Sequence, residues 1–186
     1  MNILNPGIYY STWKNGWCDH PDWEPCIKNE HLTMPLTRWA LMPSRAKRLA
    51  KLINETPGFI RFVGHSNGNE EFVQALKHIK RPVDEVHMVA AACSSDFEAN
   101  GLNRTPWVKK LFIHRGECDT VLAGPARWSR MFGGWLGLGF GDLGLVGPKN
   151  AKREFEDHVY PGFGHSTFWD EGIIEEFIRR VNGTAQ

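Results

Sequence analysis

The sequence predicts an α/β domain, a mostly parallel sheet with helices on both faces. Three observations carry this. Short apolar runs of strand length alternate with longer segments whose apolar residues recur every three or four positions, the pattern of βαβ units. Residues 59–79 hold an apolar run, Phe59-Ile60-Arg61-Phe62-Val63, then the turn Gly64-His65-Ser66-Asn67-Gly68, then Phe72, Val73, Leu76 and Ile79 at helical spacing. Ser66, Asp119 and His165 each follow a predicted strand. Right-handed crossovers place such loops at one sheet edge, where open α/β sheets bind ligands.

The elements follow in order. Ile8-Tyr9-Tyr10 is a β-prone run after Pro6-Gly7 and predicts the first strand. Residues 11–29 form a polar and aromatic loop with Trp13, Trp17 and Trp23, and a brief helix fits residues 22–27. Residues 31–36 predict a short strand that Pro35 weakens. Ser44 is positioned as an N-cap for a helix over 45–55, with Ala46, Leu49, Leu52 and Ile53 on one face. Thr56-Pro57-Gly58 ends it. The strand, turn and helix of 59–79 come next, closed by Arg81-Pro82. Residues 85–92, 107–114 and 154–160 predict three more strands. Residues 169–181 predict a closing helix with Ile173, Ile174, Phe177, Ile178 and Val181 inward.

Length and composition set bounds. The chain has 186 residues, 41% hydrophobic and 23% charged, with 22 basic and 21 acidic side chains for a net charge of +1. One domain over residues 1–186 is expected. The charge balance leaves no electrostatic footprint for nucleic acid. No apolar stretch reaches about 18 residues, so no membrane span is expected. The start lacks a charged region followed by an apolar one, which makes a cytoplasmic location the default expectation. Cys18, Cys26, Cys93 and Cys118 are expected as free thiols, although Cys18 and Cys26 would close a small loop in an oxidising compartment. Cys18, His20, Cys26 and His31 do not follow a zinc-ligand spacing, and no metal is expected.

The turn at 64–68 matches G-x-S-x-G in a strand–turn–helix context, the setting of a nucleophile elbow. Ser66, Asp119 and His165 stand in the order nucleophile, acid, histidine. On GHSNG at 64–68, GECDTV at 116–121 and GFGHS at 162–166, the chain resembles the α/β-hydrolase superfamily, and most closely its small six-stranded members such as compact lipases and cutinases. The resemblance implies a three-layer fold with a mostly parallel sheet of about six strands. It implies that Ser66 attacks a carbonyl, that His165 takes and returns its proton, and that Asp119 holds the imidazole. It implies oxyanion donors at the Asn67 backbone N–H and at Thr12 or Trp13. It implies ester hydrolysis without cofactor, on a small-molecule substrate with a hydrophobic group. Thioester, lactone and amide cleavage use the same triad, and a non-catalytic binding relative is a separate class. Two departures stand out: Ser11-Thr12-Trp13 replaces a His-Gly first loop, and Asn69, placed to help cap the helix, replaces a second glycine.

Each candidate has competitors. Asp96, at the end of the strand before, competes with Asp119 for the role of acid; Asp142 and Asp157 do not follow a strand end in the right place. His114 and His158 compete with His165 but fall within predicted strands. His65 adjoins Ser66 and is expected as a packing or polar neighbour, because adjacent residues on a sharp turn point differently. Residues 124–147 are rich in glycine and large apolar side chains. They fit two descriptions: a mobile apolar lid or pocket wall, or a helix and loop packed on the sheet.

Overall fold

The computed structural model describes residues 1–5, 21–23, 26–28, 38–124, 141–170 and 172–183. Six strands, β1 (Asn2–Asn5), β2 (Cys26–Lys28), β3 (Arg61–His65), β4 (Val83–Val89), β5 (Val108–Gly116) and β6 (Glu156–Tyr160), form one sheet in the order β2-β1-β3-β4-β5-β6. Every pairing is parallel. The carboxyl ends of all six strands therefore share one edge. Among the described residues the helices are α1 (Arg38–Glu55), α2 (Asn67–Ala75), α3 (Leu143–Val146) and α4 (Ile173–Gly183), with a further helical stretch at 120–124.

The period-2 alternation of the strands sorts the core into two halves. Ile3, Phe62, Val86, Met88, Leu111 and Ile113 pack with Ala46, Leu49 and Ile53 of α1, Phe72 and Val73 of α2 and Leu143 of α3. Leu4, Val63 and Val89 pack on the other face with Trp23, Phe168, Trp169 and Phe177, Ile178 and Val181 of α4. The result is three layers. A buried ion pair, Arg45 Nε to Glu71 Oε2 at 3.2 Å, ties α1 to α2. No helix among the described residues is long and apolar enough to cross a membrane.

Several expectations shift. The first strand is Asn2–Asn5, while Ile8-Tyr9-Tyr10 and the strand expected at 31–36 lie outside the described residues. The helix expected over 22–27 is instead a 3-10 turn, Pro21–Trp23, and strand β2. Cys26 thus sits in a strand paired with β1. Ser44 does not cap α1. The helix begins at Arg38 and runs through Pro43, and Ser44 Oγ donates back to Leu41 O at 2.8 Å, the mid-helix habit of serine. Thr56 ends α1 as expected, its Oγ1 donating to Leu52 O at 2.7 Å. α2 stops at Ala75, and Ile79 is buried in the turn beyond it. β4 ends at Val89 rather than 92 because Ala90 takes φ 42°, outside the extended region. The closing helix is divided into a 3-10 turn, Thr167–Trp169, and α4. The break falls at Gly172, whose φ of 83° suits only glycine at low cost.

Residues 125–140 lie outside the described part, so most of the segment expected as lid or wall does too. Its described end is packed on the sheet. Gly141 and Gly144 donate to Ala92 O and Ala91 O, each at 2.9 Å. A Cβ on Gly141 would come within 1.8 Å of the Cys93 backbone.

One sheet face carries a buried polar row. Arg61 Nε donates to Glu85 Oε2 at 2.8 Å, and Arg61 Nη1 donates to Asn182 Oδ1 of α4 at 2.8 Å. His87 Nδ1 hydrogen-bonds His114 Nε2 at 3.1 Å, and His114 Nδ1 hydrogen-bonds the Tyr160 hydroxyl at 3.0 Å. Burial pushes His87 down to about 4 and His114 well below its ordinary value. Both are neutral in the fold. The unfolded chain takes up protons below about 6.5 and the folded chain does not. Stability is therefore complete above that pH and falls as pH drops toward 4, by about 1.4 kcal/mol per pH unit for each such histidine. Thermal melts from pH 7.5 to 4.5 should show a steep loss of midpoint, and His87→Leu should flatten the slope by one histidine's share. A midpoint constant across that range would contradict the neutral buried row.

Candidate active site

The site is built where β3 turns into α2. Ser66 has φ 50° and ψ −120°, a backbone conformation that costs a non-glycine residue about 1–3 kcal/mol and persists only where its surroundings enforce it. The enforcing bonds are visible. Ser66 N–H donates to Val89 O at 3.0 Å, and Ser66 O accepts from Ala92 N–H at 3.0 Å and Asn69 N–H at 3.3 Å. Asn69 Nδ2 donates to Gly64 O at 3.1 Å and to Ser66 O and Val89 O at 3.2 Å each. Asn69 is thus no helix cap; it pins the turn to the end of β4. It also explains Gly64, since a Cβ there would lie 2.4 Å from Asn69 Oδ1 and 2.8 Å from Phe62 Cε1.

Three predicted residues meet. His165 Nε2 lies 2.9 Å from Ser66 Oγ, and His165 Nδ1 lies 2.7 Å from Asp119 Oδ2. The Asp119 side chain is fully buried and that of His165 is 10% exposed. Asp119 follows β5 and precedes a helical stretch at 120–124. Its Oδ1 accepts the Leu122 N–H at 2.9 Å, the bond of an N-cap aspartate. One carboxylate oxygen is held by the helix end and the other faces the imidazole. The acid and histidine loops are joined by Cys118 N–H donating to Phe163 O at 2.9 Å and Glu117 N–H donating to Tyr160 O at 3.2 Å.

His65 supports the same loop. Its Nε2 lies 3.0 Å from the His165 carbonyl oxygen, and a carbonyl only accepts, so Nε2 carries the proton. Its ring lies 4.9 Å from that of His165 and edge-on to Trp169 at 5.1 Å. Burial, then the nearby His165, pushes it down to about 3. His65 is a neutral donor, and the bond from its Nε2 goes to a backbone carbonyl rather than to Ser66 Oγ.

The other candidates fall elsewhere. Asp96 closes its own turn: Oδ1 accepts Glu98 N–H at 2.9 Å and Ala99 N–H at 3.2 Å, and Oδ2 accepts Asn150 Nδ2 at 3.1 Å. Those backbone bonds hold its carboxyl below the usual carboxylate range. Asp142 stands at the start of α3, and Asp157 pairs with Arg115 at 2.7 Å. His114 belongs to the buried row, and His158 stacks on it with centroids 5.1 Å apart. Asn67, the first residue of α2, is fully buried beside Ser66. Thr12 and Trp13 lie outside the described residues, as do Cys18, His20 and His31. No group of three or more potential metal ligands occurs among the described residues.

No protein-family model matches the chain, and no curated protein matches its sequence. Solved structures do match its fold. A CIB-like hydrolase from Thermoplasma acidophilum aligns at TM-score 0.54 and 15% identity over 98% of this chain and 84% of that one. A YdeN-like hydrolase from Pectobacterium atrosepticum aligns at TM-score 0.52 and 14% identity, covering 98% and 89%. A variant of SOBER1 from Arabidopsis thaliana aligns at TM-score 0.51 and 11% identity, covering 98% and 100%. The fold is that of the α/β-hydrolases. Within this α/β-hydrolase fold Ser66 follows β3, Asp119 follows β5, two strands later in the chain, and His165 follows the last strand, β6.

Proposed function

We propose that residues 1–186 form a single-domain serine hydrolase that cleaves carboxylic esters through an acyl-enzyme on Ser66. The observation that carries the reading is the unbroken chain Ser66 Oγ, His165, Asp119, with separations of 2.9 and 2.7 Å. Two of the structures it resembles are described as hydrolases, which agrees with the reading.

The chemistry follows from the hydrogen bonds. Asp119 Oδ2 accepts the Nδ1 proton of His165, so Nε2 of the neutral imidazole presents a lone pair to Ser66 Oγ. As Oγ attacks the ester carbonyl, its proton moves to Nε2, and the carboxylate stabilises the imidazolium. The carbonyl π electrons move to the oxygen, which the Asn67 backbone N–H stabilises at the start of α2. When the tetrahedral intermediate collapses, the C–O bond to the alcohol breaks and Nε2 returns the proton to the leaving oxygen. A water then repeats the sequence on the acyl-enzyme and frees the acid. Thioesters would follow the same steps with a better leaving group. The large apolar residues of 124–147 favour a substrate with a hydrophobic group.

A fluorophosphonate reagent tests the nucleophile. It should label the folded protein once, at Ser66 by peptide mapping, and p-nitrophenyl esters should be hydrolysed. Paired oxygen and thiol esters of one acid then separate esterase from thioesterase. A folded protein that neither labels nor turns over would point to a binding relative instead.

His65 adds a second expected result. His65→Ala should lower kcat about 10- to 100-fold with little change in KM, since misplacing a reacting group by about 1 Å costs that much. His65→Gln, which can place an amide N–H near the Nε2 position, should recover most of the loss. A merely structural role would not show that rescue in kcat at equal thermal midpoint.

A further inference from the structure

We infer that the outer edge of β6 pairs with the β6 edge of a second copy of this chain, antiparallel and centred on Asp157, so that the two sheets join into one. The inference stands apart from the reaction assigned to Ser66.

The two ends of the sheet differ. β2, at one end, has three residues and follows Pro25 in the sequence, and both shortness and proline blunt an edge. β6, at the other, has five residues, and no described strand lies on its outer side. Its outward N–H and C=O groups are a template for another strand. β6 contains neither proline nor lysine. Val159 is 48% exposed, and Phe155, just before the strand, is 36% exposed. Asp157 lies midway between them.

The charges of β6 would oppose such pairing if they were bare, but they are matched within the chain. Arg115 Nε and Nη2 donate to Asp157 Oδ1 and Oδ2 at 2.8 and 2.7 Å, a fork that offsets the charge of the carboxylate. His158 Nε2 lies 3.4 Å from Glu156 Oε2.

These side chains choose the register. Two copies related by a twofold axis normal to the sheet meet antiparallel and set one residue opposite itself. With Asp157 on the axis, Val159 faces Phe155 of the second copy and Glu156 faces its His158, and symmetry makes each pair twice. Aromatic with β-branched and acid with base are both stabilising cross-strand pairs. The two Asp157 carboxylates meet already held by Arg115. Centring on Glu156 would set Phe155 against Asp157, and centring on His158 would set Val159 against Asp157. Only the Asp157 register matches apolar with apolar and acid with base from Phe155 to Val159. It also points the carboxyl ends of the two sheets in opposite directions, so the pairing does not set one Ser66 edge against the other.

An edge pair of this length is a small interface, and the dimer it gives is weak and concentration-dependent. Sedimentation equilibrium of the full chain should show the mass rising from 21.2 kDa toward twice that value between about 5 μM and about 1 mM. Val159→Lys removes both Val159–Phe155 pairs and puts a cation on the edge, so Kd should rise about tenfold or more. Val159 is half exposed, and a thermal melt should show the variant folded. Asp157→Cys locates the axis. Directly opposed residues of paired strands have α-carbons about 4.5–5.5 Å apart, within reach of a disulfide. Mild oxidation of Asp157→Cys should give a covalent dimer that peptide mapping assigns to position 157 in both copies. Glu156→Cys is offset by two residues from its own symmetry mate, beyond disulfide reach, and should link far more slowly. Wild type, whose Cys118 is exposed, controls for linkage through native thiols. A mass that stays at 21.2 kDa up to the highest concentration overturns the inference. So does a dimer that Val159→Lys leaves intact, or one in which Asp157→Cys links no faster than Glu156→Cys.

Discussion

Ser66→Ala should abolish ester turnover, lowering kcat by roughly 10⁶-fold where a full triad operates. The size of the loss follows from the arrangement. Without Oγ, His165 Nε2 has no nucleophile at 2.9 Å to deprotonate, and Asp119 has nothing to stabilise. On the proposed serine-hydrolase reading the three groups act as a unit, so removing one forfeits most of what all supply. Residual rate, if any, would come from the Asn67 N–H and from binding alone. The substitution should leave the fold intact. Alanine occupies the same strained φ of 50° as serine, and the bonds that enforce it run through the backbone and Asn69. The thermal midpoint should move by only a few degrees. Fluorophosphonate labelling should vanish with the activity. Turnover that survives in pure Ser66→Ala protein would sink the acyl-enzyme mechanism.

How much of this was legible in the sequence depends on how local the cause is. The alternation of strands and helices, the turn at 64–68 and the loop positions of Asp119 and His165 are short-range patterns, and the fold class follows from them. β1 is not legible in the sequence because its residues, Asn-Ile-Leu-Asn, have poor strand propensity at both ends. It is a strand because β2 and β3 pair with it on both sides. The start of α1 at Arg38 is masked in the sequence because Pro43 and Ser44 imitate a helix entry. Asn69 read as a departure from a glycine pattern. Its role, one amide reaching three carbonyls across two strand ends, exists only in three dimensions. His114 reads as a competitor of His165 and His87 as an ordinary strand residue, and only the register that pairs β4 with β5 makes them one buried row. The capping role of Asp119 did leave a local signal, an aspartate heading the helical stretch 120–124.

That cap governs the second large effect. Asp119→Asn should lower kcat by about 10⁴-fold, the scale of a wrong imidazole tautomer in a serine triad. Asparagine has the same shape, and its Oδ1 can still accept the Leu122 N–H at 2.9 Å. The amide nitrogen is then left facing His165 Nδ1. Two N–H groups cannot share that bond, so His165 must carry its proton on Nε2. In that tautomer Nε2 no longer accepts the proton of Ser66. The geometry survives and the proton path does not, so KM and the thermal midpoint should change far less than kcat. Asp96→Asn is the decisive companion. Among the described residues the Asp96 carboxylate bonds its own turn and Asn150, and its substitution should change kcat less than about threefold, as expected away from the reacting groups. If Asp96→Asn carried the large loss and Asp119→Asn the small one, the acid would be misassigned. The coupling of helix end, carboxylate and imidazole would then be structural rather than catalytic.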